Sequence, residues 1–125
     1  MTFLDKYAPA LLSILRIVAG LLFLEHGCSK LLNFPPNPMF AHLPPLLLAA
    51  GVIELVGGAL IVLGLFSRIA AFIAAGEMAI AYWIYHVPHG GFFPSLNEGD
   101  AAVLFCFVFL YIAAAGPGPW SINRR

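Results

Sequence analysis

Apolar residues run through the chain in four long stretches with no period-two alternation, at about Pro9 to Leu32, Pro44 to Leu65, Arg68 to Val87 and Gly99 to Ala115. A bilayer core takes about 20 mostly apolar residues at about 1.5 Å each. The first three stretches reach that length, and the fourth sits at the short end of the workable range. Barrel strands would alternate over about ten residues, whereas Leu46 to Ala50 and Ala101 to Ala115 are apolar on every side. The pattern therefore predicts four membrane-spanning helices.

The breaks between stretches agree. Asn33-Phe34-Pro35-Pro36-Asn37-Pro38 closes the first helix, and Pro44-Pro45 opens the second, where a missing N–H costs little. The Gly64 to Arg68 turn is short enough to make the second and third helices antiparallel neighbours. Val87-Pro88-His89-Gly90-Gly91 ends the third helix and Gly116-Pro117-Gly118-Pro119 the fourth. No repeat or internal boundary divides the 125 residues, so a single all-α, integral membrane four-helix bundle is expected. The first stretch is too long for a cleaved signal peptide and carries Arg16, Glu25, His26 and Lys30, so it is expected to be retained.

Composition sharpens this picture. The chain is 62% hydrophobic and 10% charged, with a mean hydropathy of +0.95; a soluble domain is nearer about 25% charged. Its formal net charge is zero and it has no basic cluster, which argues against a nucleic-acid partner. Lys6, Arg68, Arg124 and Arg125 fall on the side of the two termini, so the positive-inside rule places both termini in the cytoplasm.

Ionisable residues inside these stretches are the candidate chemistry, because charge at membrane depth is costly and marks bundle-facing or functional positions. Glu54 and Glu77 fall near the middle of their helices, and His26, Lys30, His86 and Asp100 lie toward the outer leaflet. At about 100° per residue, Arg16, Gly20, Phe23, Gly27 and Lys30 share one face of the first helix. Gly51, Glu54, Gly57 and Gly58 form a similar face on the second, and Ala70, Ala74, Glu77 and Ala81 on the third. Gly20, Gly27, Gly57 and Gly58 are expected to let helices approach closely. The three faces are expected to meet, with Arg16 paired to Glu54, Glu77 or both. Two carboxylates so close in low dielectric resist joint ionisation, so one holds a proton unless a cation compensates. Such a cluster serves either as a structural ion group fixing helix register or as a proton- or ligand-handling site.

Other residues narrow the chemistry. Glu25 points about 180° from Arg16, toward lipid headgroups or another subunit, and His86 falls opposite Glu77 on a straight helix. Two histidines without a clear third ligand are a weak metal signal, and a haem between His26 and His86 is a chemical alternative. Cys28 and Cys106 lie at different depths and form no C-x-x-C, so they are expected to pack as free thiols.

These residues, in this order, resemble the DoxX family of small four-span membrane proteins of bacteria and archaea. The resemblance is carried by Arg16 with Gly20, His26-Gly27 with Lys30-Leu31, Glu54 with Gly57-Gly58, Gly64-Leu65 with Arg68 and Ala71, Met78 with Ala81 and His86, Gly91-Phe92-Phe93, and Gly116-Pro117-Gly118 with Trp120-Ser121. Asp100 stands where the family usually has glutamate, and Asn123 where aspartate is common. The resemblance implies a membrane subunit associated with a redox system, acting with a soluble or membrane redox partner. A quinone or another lipophilic molecule would bind at the polar cluster of Arg16, His26, Lys30, Glu54, Glu77, His86 and Asp100. A non-enzymatic scaffold or assembly factor and a small oligomeric transporter component are the alternatives. A homodimer is open to each, given the small-residue faces and Glu25.

Overall fold

The computed structural model describes residues 2–40 and 42–125. Four long helices organise it: α1 (Ala8–Leu32), α2 (Pro45–Leu63), α3 (Ser67–Ala81) and α4 (Asp100–Ala115). α3 runs on through a π-helical segment, Tyr82–His86, and a last turn, Val87–Gly90, so Ser67–Gly90 is apolar and long enough to cross a membrane, as are α1 and α2. The 16 residues of α4 extend about 24 Å, slightly less than a typical hydrocarbon core.

The distribution of side chains is inside out relative to a soluble bundle. Arg16, Glu54, Ser13 and Ser67 are among the largest fully buried side chains, whereas Leu11, Ile14, Val18, Leu21, Val52, Val56, Phe72 and Phe107 lie open on the outer faces. Water would penalise that surface; lipid would not. Hydrocarbon instead penalises unpaired polar groups, which here are turned inward.

The helices associate as two intimate pairs, α1 with α2 and α3 with α4. Glycine makes the first pair possible. A Cβ on Gly27 would stand 2.4 Å from the backbone nitrogen of Leu55, one on Gly58 2.7 Å from that of Leu24, and one on Gly20 3.0 Å from that of Val62. Gly51 is similarly crowded by Leu31 and Lys30, but Gly57 is not: its nearest neighbour would be Phe23 Cε2 at 3.9 Å. The close approach expected of Gly57 falls instead to Gly51, seven residues and about two turns from Gly58. In the second pair, alanine does this work, with Ala70, Ala71, Ala74 and Ala75 buried against Phe109, Ile112 and Ala102. Phe23 joins the two pairs, edge-on to Phe109 at 4.9 Å and tilted to Phe105 at 5.8 Å.

The end of the bundle that holds the α2–α3 turn is closed by the segment after α4, and this is where Arg16 is found. α2 stops in a Schellman arrangement, with Leu65 N–H donating to Leu60 O and Gly64 N–H to Ile61 O at positive φ. The tail folds back over that turn: Ile122 N–H donates to Leu63 O, Asn123 N–H to Gly64 O, and Asn123 Oδ1 accepts from Phe66 N–H. Arg16 reaches into the tail and donates to the carbonyls of Pro117, Trp120 (2.6 Å) and Val62 (3.4 Å). Arg68 donates to Ala113 O and Ala114 O at the end of α4. Helix C-termini leave carbonyls unpaired and carry partial negative charge, and a guanidinium answers both. The expected pairing of Arg16 with Glu54 or Glu77 is therefore corrected. Its guanidinium is drawn to the nearest dense set of acceptors, which are the orphan carbonyls of α2 and the tail.

Replacing Arg16 with Met should lower unfolding stability in detergent by about 3 kcal/mol or more, since it strands buried carbonyls. Gly27→Ala should cost about 1–3 kcal/mol, because the added methyl meets backbone rather than a movable side chain. Gly76→Ala, where a Cβ meets nothing within 4 Å, should be neutral or stabilising by up to about 1 kcal/mol. Thermal unfolding of the three variants ranks these effects.

Candidate functional site

At the opposite end of the bundle, the two helix pairs separate around a cavity of about 930 Å³. Its walls are mostly apolar, from Leu46, Ala50, Ile53 and Ile80 to Phe105, and its polar lining comes from all the elements except α4. α1 contributes His26 and Lys30, α2 contributes Glu54, α3 and its extension contribute Glu77, Tyr85, His86 and His89, and the following segment contributes Asn97 and Glu98.

Lys30 and Glu54 form the fixed point of this lining. Gly51 lies one turn before Glu54, and its missing side chain lets the Lys30 stem pass; a Cβ there would sit 3.2 Å from Lys30 Cβ. The ammonium then meets both Glu54 oxygens, at 2.7 and 2.6 Å, with the two side chains only 11% and 1% exposed. It also stands 5.7 Å from the Phe40 ring centroid, a cation–π distance. The Lys30 ammonium is thus the cation that answers Glu54, the position expected for Arg16.

Glu77 approaches from the other helix pair. Its side chain faces the same corner of the cavity as that of Glu54, and both its carboxyl oxygens are buried with no hydrogen-bond partner among the described residues. Two carboxyls and one ammonium share this corner. A contact between two carboxyls is favourable only when one carries a proton to donate.

The histidines are held from behind. His26 Nδ1 donates to Leu22 O at 2.8 Å in its own helix, and the ring stands edge-on to Phe105. His86 Nδ1 donates to Asn97 O at 3.1 Å. In each neutral ring this leaves Nε2 as an acceptor. On a straight helix His86 would point away from Glu77, yet both line the cavity. The π-helical segment Tyr82–His86 is the reason: each i→i+5 turn absorbs an additional residue, about 100° of rotation, and swings His86 toward Glu77's side. Asn97 locks this bend. Its Nδ2 donates to Gly91 O (2.7 Å) and to Tyr82 Oη (3.3 Å), while Tyr82 O–H donates to Phe92 O.

Asp100 is not brought in. It is exposed at the first turn of α4 and lies outside the cavity lining, where a carboxylate suits the positive end of the helix. Glu98, two residues earlier, lines the cavity instead. Asn97, Tyr85 and Phe105 went unnoticed as site residues because a polar loop and an apolar helix give no periodic signal for where a cavity opens. Asn123, in the aspartate-like position, uses its amide oxygen to accept from the Phe66 and Arg125 N–H groups, a task that needs no acid.

Residues 11–87 match the DoxX family profile, which is more than half of the chain. The chain belongs to the DoxX family. An uncharacterized protein of Haemophilus influenzae is 44% identical over 100% of this chain and 97% of its own length. The Escherichia coli inner membrane protein YphA is 31% identical over 94% of this chain and 91% of its own. An uncharacterized membrane protein of Mycobacterium tuberculosis, Rv3486, is 27% identical over 98% and 85% respectively. No solved structure matches. The family, the inner membrane relative and the lipid-facing apolar surface together make this DoxX protein a bacterial, multi-pass inner membrane protein.

Lys30→Met should destabilise the DoxX bundle by about 3–5 kcal/mol, because it leaves Glu54 buried without its cation. Adding Glu54→Gln to that variant should recover much of the loss. A double-mutant cycle of unfolding free energies in detergent measures the coupling.

Proposed function

We propose that this DoxX protein is a membrane-embedded binding subunit of a redox system. It takes up a lipophilic small molecule, of which a quinone is the type, between its two helix pairs. The observation that carries this reading is the cavity of about 930 Å³ with apolar walls and a polar corner of Lys30, Glu54 and Glu77. Ligand pockets are commonly about 300–1,000 Å³, mainly apolar, with a few converging polar groups. A quinone head matches that inventory: its carbonyl oxygens accept hydrogen bonds, and a protonated Glu77 and Lys30 supply donors at one side. His26 and His86, with Nδ1 engaged, offer Nε2 acceptors suited to a reduced quinol's hydroxyls. No electron-carrying group is built from these residues, so electrons would come from a soluble or membrane partner. In this reading a second copy of the chain packs on the lipid-facing surface around Glu25.

Extraction of the protein purified in mild detergent, followed by mass spectrometry, should recover a quinone or related lipid in near-stoichiometric amount. Gly76→Phe provides the control. Gly76 lines the cavity and has no neighbour within 4 Å of an added Cβ, so the ring can occupy the cavity without disturbing a helix contact. That variant should fold, lose the extracted molecule, and bind a short-chain quinone at least about tenfold more weakly. A cavity empty in both proteins, with no quinone binding in either, would refute the reading in favour of a scaffold.

A further inference from the structure

The charges that face the cavity do not balance. Lys30 and His26 come from α1, Glu54 from α2, and Glu77, Tyr85, His86 and His89 from α3 and its extension, with Glu98 on the following segment. The α4 residues on the wall, Ala101, Ala102 and Phe105, carry no titratable group. Lys30 is the sole Lys or Arg of the lining, and both Glu54 oxygens already hold it. Glu77 is left with buried oxygens, no donor among the described residues, and a carboxylate for a neighbour. In low dielectric such a group is stable either with a proton or with a positive charge supplied from outside the protein. The space beside it is large, apolar and edged by the rings of Phe23, Phe40, Tyr85 and Phe105, whose faces attract cations. Glu98 adds negative charge to the same lining, and an anionic head group would find one engaged lysine and three carboxyls.

We infer that the cavity binds a lipophilic organic monocation, a quaternary ammonium or phosphonium amphiphile, in exchange for the proton that Glu77 otherwise holds. The exchange is balanced: the Glu77 O–H bond breaks, its proton leaves to water, and the carboxylate becomes the counter-ion of the incoming cation. No electrons move and no bond to carbon changes. This goes beyond the quinone reading, which uses the protonated form of the same corner; the ionised form takes the cation.

The sign of the pH dependence follows. Raising pH removes the competing proton, so cation affinity rises by up to about tenfold per pH unit, then levels where Glu77 is ionised without ligand. His26 and His86 also face the cavity, each with Nδ1 donating to a backbone carbonyl.

Calorimetric titration of the full chain in mild detergent with tetraphenylphosphonium, across a pH series and in buffers of different protonation enthalpy, tests this. The expected result is saturable binding that strengthens with pH and releases one proton per cation. Glu77→Gln should bind at least about tenfold more weakly, with no pH slope. The wild-type proton count stands as the test by itself if that variant fails to fold. Cation binding without proton release, or equally strong binding by Glu77→Gln, overturns the exchange. A short-chain quinone titrated into the same preparation separates the two readings. Quinone binding without cation binding overturns the exchange alone; cation binding with proton release but no quinone binding supports the exchange and removes the quinone.

Discussion

Hydrocarbon offers no hydrogen bonds, so each polar group carried into the bilayer must be met by another part of the same fold. That constraint organises this DoxX protein at two depths. At one end the guanidinium of Arg16 gathers carbonyls from α2 and from the segment after α4. At the other, the ammonium of Lys30 holds both oxygens of Glu54. The two cations divide the work by geometry. A guanidinium offers five donors in a fixed fork and can collect scattered carbonyls, whereas an ammonium acts as a point charge that one carboxylate can satisfy.

The cavity follows from how the helices pair. Glycine contacts hold α1 and α2 backbone to backbone, and alanines hold α3 to α4. Between the pairs, the contact near mid-height is made by the large rings of Phe23, Phe105 and Phe109. Small residues within each pair and bulky ones between pairs make two rigid plates on an aromatic hinge-pin. Toward the loop end the pairs stand apart around the cavity, and the polar corner faces it.

Much of this was legible in the residues. Four apolar stretches bounded by proline and glycine determine an all-helical membrane bundle, because few other folds hide the backbone of so apolar a chain. The face shared by Arg16, Gly20, Phe23, Gly27 and Lys30 turns inward, as helical periodicity requires. The pairing of charges was not legible. Arg16 and Lys30 lie on one stripe, and which of them meets Glu54 depends on the axial offset between α1 and α2, which glycine contacts set and periodicity does not. His86 was misread for a related reason: an angular argument assumes a uniform helix, and the π-helical segment at Tyr82–His86 breaks that assumption. The carbonyls that receive Arg16 belong to backbone, and backbone acceptors leave no trace in residue identity.

The hold of the C-terminal segment on Arg16 has a consequence for biosynthesis. The acceptors at Pro117 and Trp120 lie 101 and 104 residues downstream of the arginine. At a ribosomal pace of about 5–20 residues per second, they are made on the order of 5–20 s after α1. During that interval Arg16 lacks those two acceptors and has only the Val62 carbonyl of α2 within reach, and an arginine near a helix centre carries an insertion penalty of about 2.5–3.5 kcal/mol. The newborn first helix is therefore expected to settle fully only when the last stretch of polypeptide arrives to receive it.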